Sequence, residues 1–513
     1  MTWNEKYDKY ILFLISLIAF LSVIWVREAD IMEVRNFITA REMLKNNSWW
    51  ITTLNGNLRF EKPPLPTWIT ALWMKSLSNQ SMESILRMPN SIFASVFIVY
   101  FYSQIKEIFK NRNIAFLSAF VLATNFMFIK LGAENTWDIY VYIFSFLAGL
   151  NYFLFLENKK LKNIVIFSIF VALSILSKGP VGLYSTIIPA IFVSIVISKE
   201  KVKKNWKCIT IFLILGILIG SSWGVSMYFT FGEEFLRTLK KEKDTWANSH
   251  IKGPLFYVDY IIYSGTWLVF SIASLFYERK NKSEKSRAFY LWHIFIFIFI
   301  SLVQMKKKRY GLPLYFTESV LIGIFLERIS VKLDSSSQKI LKIQKYILLF
   351  IIILSILFLS YSFFVENYIN NYFFIIAIIV NLLMFYYLYF YKREEKNFKN
   401  IVIGTGLVLL TFNLTVAWVG DRYYLKNTES LKKFYLEDIL VKDLPIVSSE
   451  FLIEDVWKIG GEIKKMEEIP TDERILYFGD KNLEKLLINY DIVRTYNPKE
   501  NIKIYELYRK EKI

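Results

Sequence analysis

Residues 346–365, YILLFIIILSILFLSYSFFV, form a run of twenty residues without a single charge. A helix rises about 1.5 Å per residue, so this run spans the roughly 30 Å hydrocarbon core of a bilayer. Twelve more apolar stretches flank it, at 10–26, 90–105, 114–129, 138–156, 161–177, 180–198, 208–229, 255–277, 288–304, 310–327, 372–391 and 400–420. The composition agrees. Hydrophobic residues reach 54% before glycine is counted, against about 45–50% with glycine in soluble domains. The sequence predicts an all-α polytopic membrane protein of about 13 transmembrane helices.

The net charge of +18 suggests nucleic acid until the charges are assigned to sides. Loops alternate between two sides of a membrane. One set (1–9, 106–113, 157–163, 199–207, 278–287, 328–345, 392–399) holds 27 Lys or Arg in 69 positions, the other 19 in 109. The first set is therefore expected to be cytoplasmic, and its basic runs call for no nucleic acid. The first span is read as an anchor, since Arg27-Glu28 follows it where a signal peptide would carry small residues. The expected location is the bacterial inner membrane, multi-pass, with the N-terminus cytoplasmic. One cysteine, Cys208, excludes a disulfide framework and a Cys-based zinc site, and two histidines, His250 and His293, leave little for a His-rich metal centre.

Past the last span the pattern changes. Residues 429–440 and 454–467 read as amphipathic helices, and 444–448, 474–478 and 502–508 as strands. The expected division is a transmembrane domain over 1–420 and a small extracytoplasmic α/β domain over 421–513. Two outer loops, 27–89 and 230–254, are far longer than a turn requires, and long loops on a rigid scaffold tend to carry function.

The first of these loops holds Asp30 and Glu33, three apart and on one face if helical. Such acids can hold a cation or accept a proton, or merely start a helix. Further on come Ala40-Arg41-Glu42-Met43-Leu44, Asn55-Gly56 and Phe60-Glu61-Lys62-Pro63-Pro64-Leu65, where the prolines stiffen the backbone behind a charge pair. Trp137-Asp138 opens the fourth span, Ser177-Lys178-Gly179-Pro180 joins the fifth to the sixth, and Lys308-Arg309-Tyr310 with Leu312-Pro313 opens the tenth.

With Glu33 and Arg35, these motifs resemble the GT-C type membrane glycosyltransferases that use polyprenyl-phosphate sugars, specifically the aminoarabinose-transferase-like (ArnT-like) and protein mannosyltransferase-like group. The resemblance implies an enzyme that moves a sugar from polyprenyl (undecaprenyl) phosphate to an envelope acceptor, such as a lipid A-like glycolipid, a protein or a glycan. It also implies an outer-face active site, inversion at the anomeric carbon and no nucleotide cofactor. In one respect the sequence departs: where the family carries adjacent Asp-Glu, this chain has Met32-Glu33. The catalytic acid is then Glu33, which keeps the family register, or Asp30.

A departing polyprenyl phosphate gains negative charge, so cations must meet it. Lys62, Lys178, Lys308 and Arg309 are the expected donor-phosphate ligands. They lie on the outer side, where the topological bias gives no reason for basic residues, and the run Lys306 to Arg309 crowds four of them into one short turn. Anionic lipid headgroups are the plainer partner for that run. Arg35, Asp138 and Tyr310 are expected to orient substrate. The resemblance pairs Glu61 with His250 as ligands of a divalent metal, though two protein ligands make only part of a site. Trp68, Trp73, Trp246 and Tyr257 face sugar or polyprenyl, or anchor the interface. Glu318, within a span, needs a polar partner, and His293 is read as packing or hydrogen bonding. A transporter or flippase, or a noncatalytic glycan-assembly partner, are the rival readings.

Overall fold

The computed structural model describes residues 4–25, 28–77, 82–279, 283–365, 370–390, 398–415, 444–499 and 502–510. The chain folds into two compact units. One comprises Met1–Trp25, Phe60–Pro66 and Arg87–Val419, the other Val26–Arg59, Thr67–Leu86 and Gly420–Ile513.

The first unit is helical. It contains α1 (Asp8–Leu21), α4 (Glu83–Phe109) from Arg87 onward, α5 (Arg112–Ala123), α6 (Phe126–Gly132), α7 (Trp137–Asn158), α8 (Leu161–Lys178) and α9 (Ile188–Ile197). It continues with α10 (Lys199–Phe231), α11 (Glu233–Asn248), α12 (Tyr260–Tyr263), α13 (Leu268–Glu278), α14 (Glu284–Leu302), α15 (Leu312–Val331), α16 (Ser335–Phe364), α17 (Asn371–Phe390) and α18 (Phe398–Thr415). The described residues of the thirteen expected spans lie mostly on these helices. Among the described residues, eight helices are long and apolar enough to cross a membrane alone, and ten spans result if each of two bent pairs counts as one. Of the remainder, α1 has only 14 residues, Leu183–Ile197 is short, and α15 carries Glu318, Glu327 and Arg328.

Burial follows the sequence of each helix. Nearly every side chain of α7 is buried, as expected of a helix that is apolar all round. α10 instead turns Ile211, Ile214 and Leu218 outward, an apolar face suited to lipid. Gly216 and Gly220 of α10 lie against α8, where an added Cβ would come within 2.7 Å of the Ser168 carbonyl or 2.9 Å of the Ala172 carbonyl. Small residues four apart let two helix backbones approach this closely. Two buried polar groups are partnered within the unit. Ser271 of α13 donates to Glu318, and His293 bonds Tyr260 at 2.8 Å and Thr317 at 2.9 Å.

The second unit contains α2 (Ile31–Lys45), the hairpin β1 (Thr53–Leu54) and β2 (Asn57–Leu58), and α3 (Leu65–Lys75) from Thr67 onward. To these it adds β3 (Ile446–Ser448), α19 (Ile453–Ile459), β4 (Ile463–Lys465), β5 (Arg474–Phe478), α20 (Leu483–Leu487), β6 (Tyr490–Lys499) and β7 (Ile502–Arg509). The sheet order is β4-β3-β5-β7-β6, with β3 parallel to both neighbours and the remaining pairs antiparallel. Alternation along β5 gives each sheet face its own core. Leu476 and Phe478 join Phe37, Ile38 and Met43 of α2, while Ile475 and Tyr477 join Leu486, Tyr490 and Leu507.

The expected α/β tail is thus present, but its core is shared. Most of the long 27–89 segment belongs to this compact unit rather than to the spans. Asn55 makes the join: its side chain donates to the Ile463 carbonyl at 2.8 Å and accepts from the Ile463 amide at 2.9 Å. The segment expected as one helix over 454–467 is α19 followed by β4, and β6 is a strand the sequence pattern missed. The expected helix at 429–440 lies outside the described residues.

Candidate active site

The charged centre of the helical unit is Asp138, in the first turn of α7, where the helix N-terminus favours an acid. It is fully buried, and Lys178 donates to its Oδ1 at 2.5 Å. Arg309 Nη1 stands 3.8 Å from Oδ2. Lys178 is the last residue of α8, released there by Gly179, whose φ of 70° favours a residue without a Cβ. Beyond Pro180 the next turn, Leu183–Ile187, is π-helical, a distortion frequent at functional sites. Arg309 and Tyr310 lie in the 3-10 turn Lys308–Gly311 that leads into α15.

Aromatic rings surround this centre. Lys178 Nζ sits 4.7 Å from the Tyr310 ring centroid, and the hydroxyls of Tyr142, Tyr184 and Tyr257 lie close enough to Asp138 to feel its charge. Lys62 and Arg309 act electrostatically on Lys178, so three of the four expected phosphate ligands are neighbours. Lys62 is held at 2.8 Å by Glu242 of α11, while Phe60 packs against Phe231 and Phe235. Trp246, also on α11, meets the edge of Tyr184 at 6.2 Å.

Lys308 is placed differently. It pairs with Asp259 and sits 4.0 Å over Phe256 and 5.3 Å over Tyr263, so it fastens the 254–263 segment to α15. Lys306 donates to the Lys252 carbonyl at 3.0 Å and to the Val303 carbonyl at 2.5 Å, and burial pulls its ammonium below the usual lysine range. The four-residue basic run therefore divides, with Lys306 and Lys308 engaged structurally and Arg309 directed to Asp138.

Asp30 and Glu33 belong to the other unit and form a capping box on α2. Asp30 Oδ1 accepts from the amides of Met32 and Glu33 at 2.8 and 3.1 Å, and Glu33 Oε2 accepts from the Asp30 amide at 3.2 Å. Glu33 is fully buried, whereas Asp30 is only partly so. Arg35 keeps a buried Nε with no hydrogen-bond partner among the described residues. Its carbonyl is occupied by Thr39 and Arg59.

Glu61 and His250 both belong to the helical unit. Among the described residues no group of three or more His, Cys, Asp or Glu side chains could hold an ion. His250 is exposed with φ 53°, its carbonyl accepting from the Lys306 amide. Trp68 and Trp73 are structural, donating to the Trp49 and Ile85 carbonyls within the second unit. Sequence reasoning missed Asp259 and Glu242. An acid in an apolar span marked the first, but nothing in the charged run of α11 distinguished the second.

The family model described as dolichyl-phosphate-mannose-protein mannosyltransferase matches residues 61–223, a stretch that includes Lys62, Asp138 and Lys178. An Aquifex aeolicus protein is 26% identical over 57% of this chain and 58% of its own length. The undecaprenyl phosphate-alpha-4-amino-4-deoxy-L-arabinose arabinosyl transferase of Wigglesworthia glossinidia brevipalpis is 26% identical over 67% of this chain and 63% of its own length. The chain thus spans less than two thirds of both relatives. ArnT from Cupriavidus metallidurans, solved bound to undecaprenyl phosphate, superposes with a TM-score of 0.75 over 98% of each chain at 14% identity. The fold is the multi-pass membrane fold of that structure. The chain is thus similar in sequence to the Wigglesworthia transferase over part of its length and similar in fold to the Cupriavidus structure.

Proposed function

We propose that this protein is a glycosyltransferase that moves a sugar from a polyprenyl phosphate to an acceptor of the cell envelope. The observation that carries the reading is the buried Asp138 flanked by Lys178 and Arg309, with Lys62 close by. In the transfer, the bond from the anomeric carbon to the phosphate oxygen breaks and a bond to the acceptor oxygen forms. The departing polyprenyl phosphate takes the electron pair. Cations aimed at the place where charge develops contribute more to the transition state than to the ground state. Lys62, Lys178 and Arg309 are suited to that task, with Asp138 holding two of them in orientation. A single displacement of this kind inverts the anomeric centre.

An acceptor hydroxyl must lose its proton, and an acceptor phosphate needs no base at neutral pH. No step is assigned to a metal. The bias of Lys and Arg between the loop sets supports an inner-membrane protein with its N-terminus cytoplasmic and its sheet-bearing unit extracytoplasmic.

The test is sugar transfer from labelled polyprenyl phosphate donors in membranes reconstituted with the full chain. Wild type forms a new glycosidic linkage, and K62A, K178A and R309A each lose it. Transport of the donor without a new linkage, or unaltered transfer in all three variants, overturns the proposal.

A further inference from the structure

A groove of about 1160 Å³ runs between α1 and α4, and none of its lining residues belongs to the site described above. It is amphipathic along its length. Phe13, Val96 and Val99 line one part, and Lys6, Lys9, Lys106 and Lys110 gather with Glu5 and Glu107 in another. From Val96 to Lys110 the helical rise is about 21 Å. α1 and α4 are antiparallel here, since Glu5 pairs with Lys106 and Asp8 accepts from Tyr102 at 2.7 Å, so the lysines of both helices share one end.

The walls at that end are fixed. Asp8 is fully buried, and besides Tyr102 it accepts from Arg112 Nε and Nη2, each at 2.7 Å. This ties the start of α1 to α4 and α5 at once. The positive-inside bias accounts for the number of lysines on this side, but not for their convergence from two separate segments on one groove with an apolar floor.

We propose that this groove binds one anionic phospholipid of the leaflet on its lysine-rich side. The phosphate sits among the lysines and an acyl chain lies along Phe13, Val96 and Val99. Basic pockets between membrane helices take phosphate headgroups. Here four lysines outweigh two glutamates.

The experiment is native mass spectrometry of the detergent-purified full chain titrated with phosphatidylglycerol or phosphatidylcholine. Wild type should retain phosphatidylglycerol about tenfold more than phosphatidylcholine, the ratio that about 1.4 kcal/mol produces. K9E/K110E should lower phosphatidylglycerol to the phosphatidylcholine level. V99W, which fills the apolar part without changing charge, should lower it as well. Thermal unfolding in lipid-free detergent reports whether each variant is folded, and the milder K9Q/K110Q replaces the reversal if that midpoint falls. Undiminished phosphatidylglycerol in the folded variants overturns the proposal. Equal retention of both lipids by wild type, or displacement of the bound lipid by added polyprenyl phosphate, overturns it too.

Discussion

Asp138 binds Lys178 through one carboxylate oxygen at 2.5 Å and faces Arg309 across the other at 3.8 Å. The acid is fully buried and the lysine nearly so. Removing one member of such a pair leaves an uncompensated charge and costs about 3–5 kcal/mol, whereas replacing both members is far less harmful. K178A should therefore lower both the thermal midpoint in detergent and sugar transfer. D138N/K178M should recover most of the midpoint and none of the transfer. Recovery of both would reduce the pair to a structural role.

Lys62 and Glu242 separate stability from chemistry in another way. Their pair is partly exposed, at 16% and 28%, and pairs of that kind contribute about 0–1 kcal/mol. K62A should leave the midpoint nearly unchanged while transfer falls roughly 100-fold or more, the usual effect of removing one transition-state donor. E242Q should keep most of the transfer. Equal loss in both variants would show that the ion pair, rather than the free action of Lys62, is what matters.

The contact of α8 with α10 depends on two absent side chains. At Gly220 an added Cβ would meet Ile175 Cβ at 2.7 Å and the Ala172 carbonyl at 2.9 Å. G220V should cost about 1–3 kcal/mol through overpacking, read as a lower midpoint. G224A should be neutral, because the nearest atom to a Cβ there is 3.7 Å away.

Asn55 joins the hairpin to β4 through two hydrogen bonds to Ile463. N55A leaves both backbone groups of Ile463 unpartnered and places alanine at φ 53°. A loss of roughly 1–3 kcal/mol per buried group left unsatisfied is expected. Limited proteolysis of the full chain should then cut within 444–510 sooner than in wild type.

The helical unit was readable because an apolar run of bilayer length leaves the chain few alternatives. The tail was harder to read. A single helix over 454–467 ignored Gly460-Gly461, and Gly460, at φ 84°, ends α19 so that Ile463 can open a strand. β6 was not among the expected strands; it is an edge strand, where the missing amide of Pro498 is tolerated. In the site, motif and register led to Asp138 and Lys178. They did not reveal that Lys308 is committed to Asp259, because pairing across 49 residues leaves no local trace.

The second unit also imposes an order in time. Arg41 and the Val456 carbonyl it donates to are 415 residues apart, and Phe37 and Ile38 share their core with residues of the same late segment. At about 5–20 residues per second, synthesis delivers that cover roughly 20–80 s after α2. Until then the first loop, with Asp30, Glu33 and Arg35, has no finished core of its own. The nascent chain thus holds these residues in a form that becomes native only when the final segment emerges.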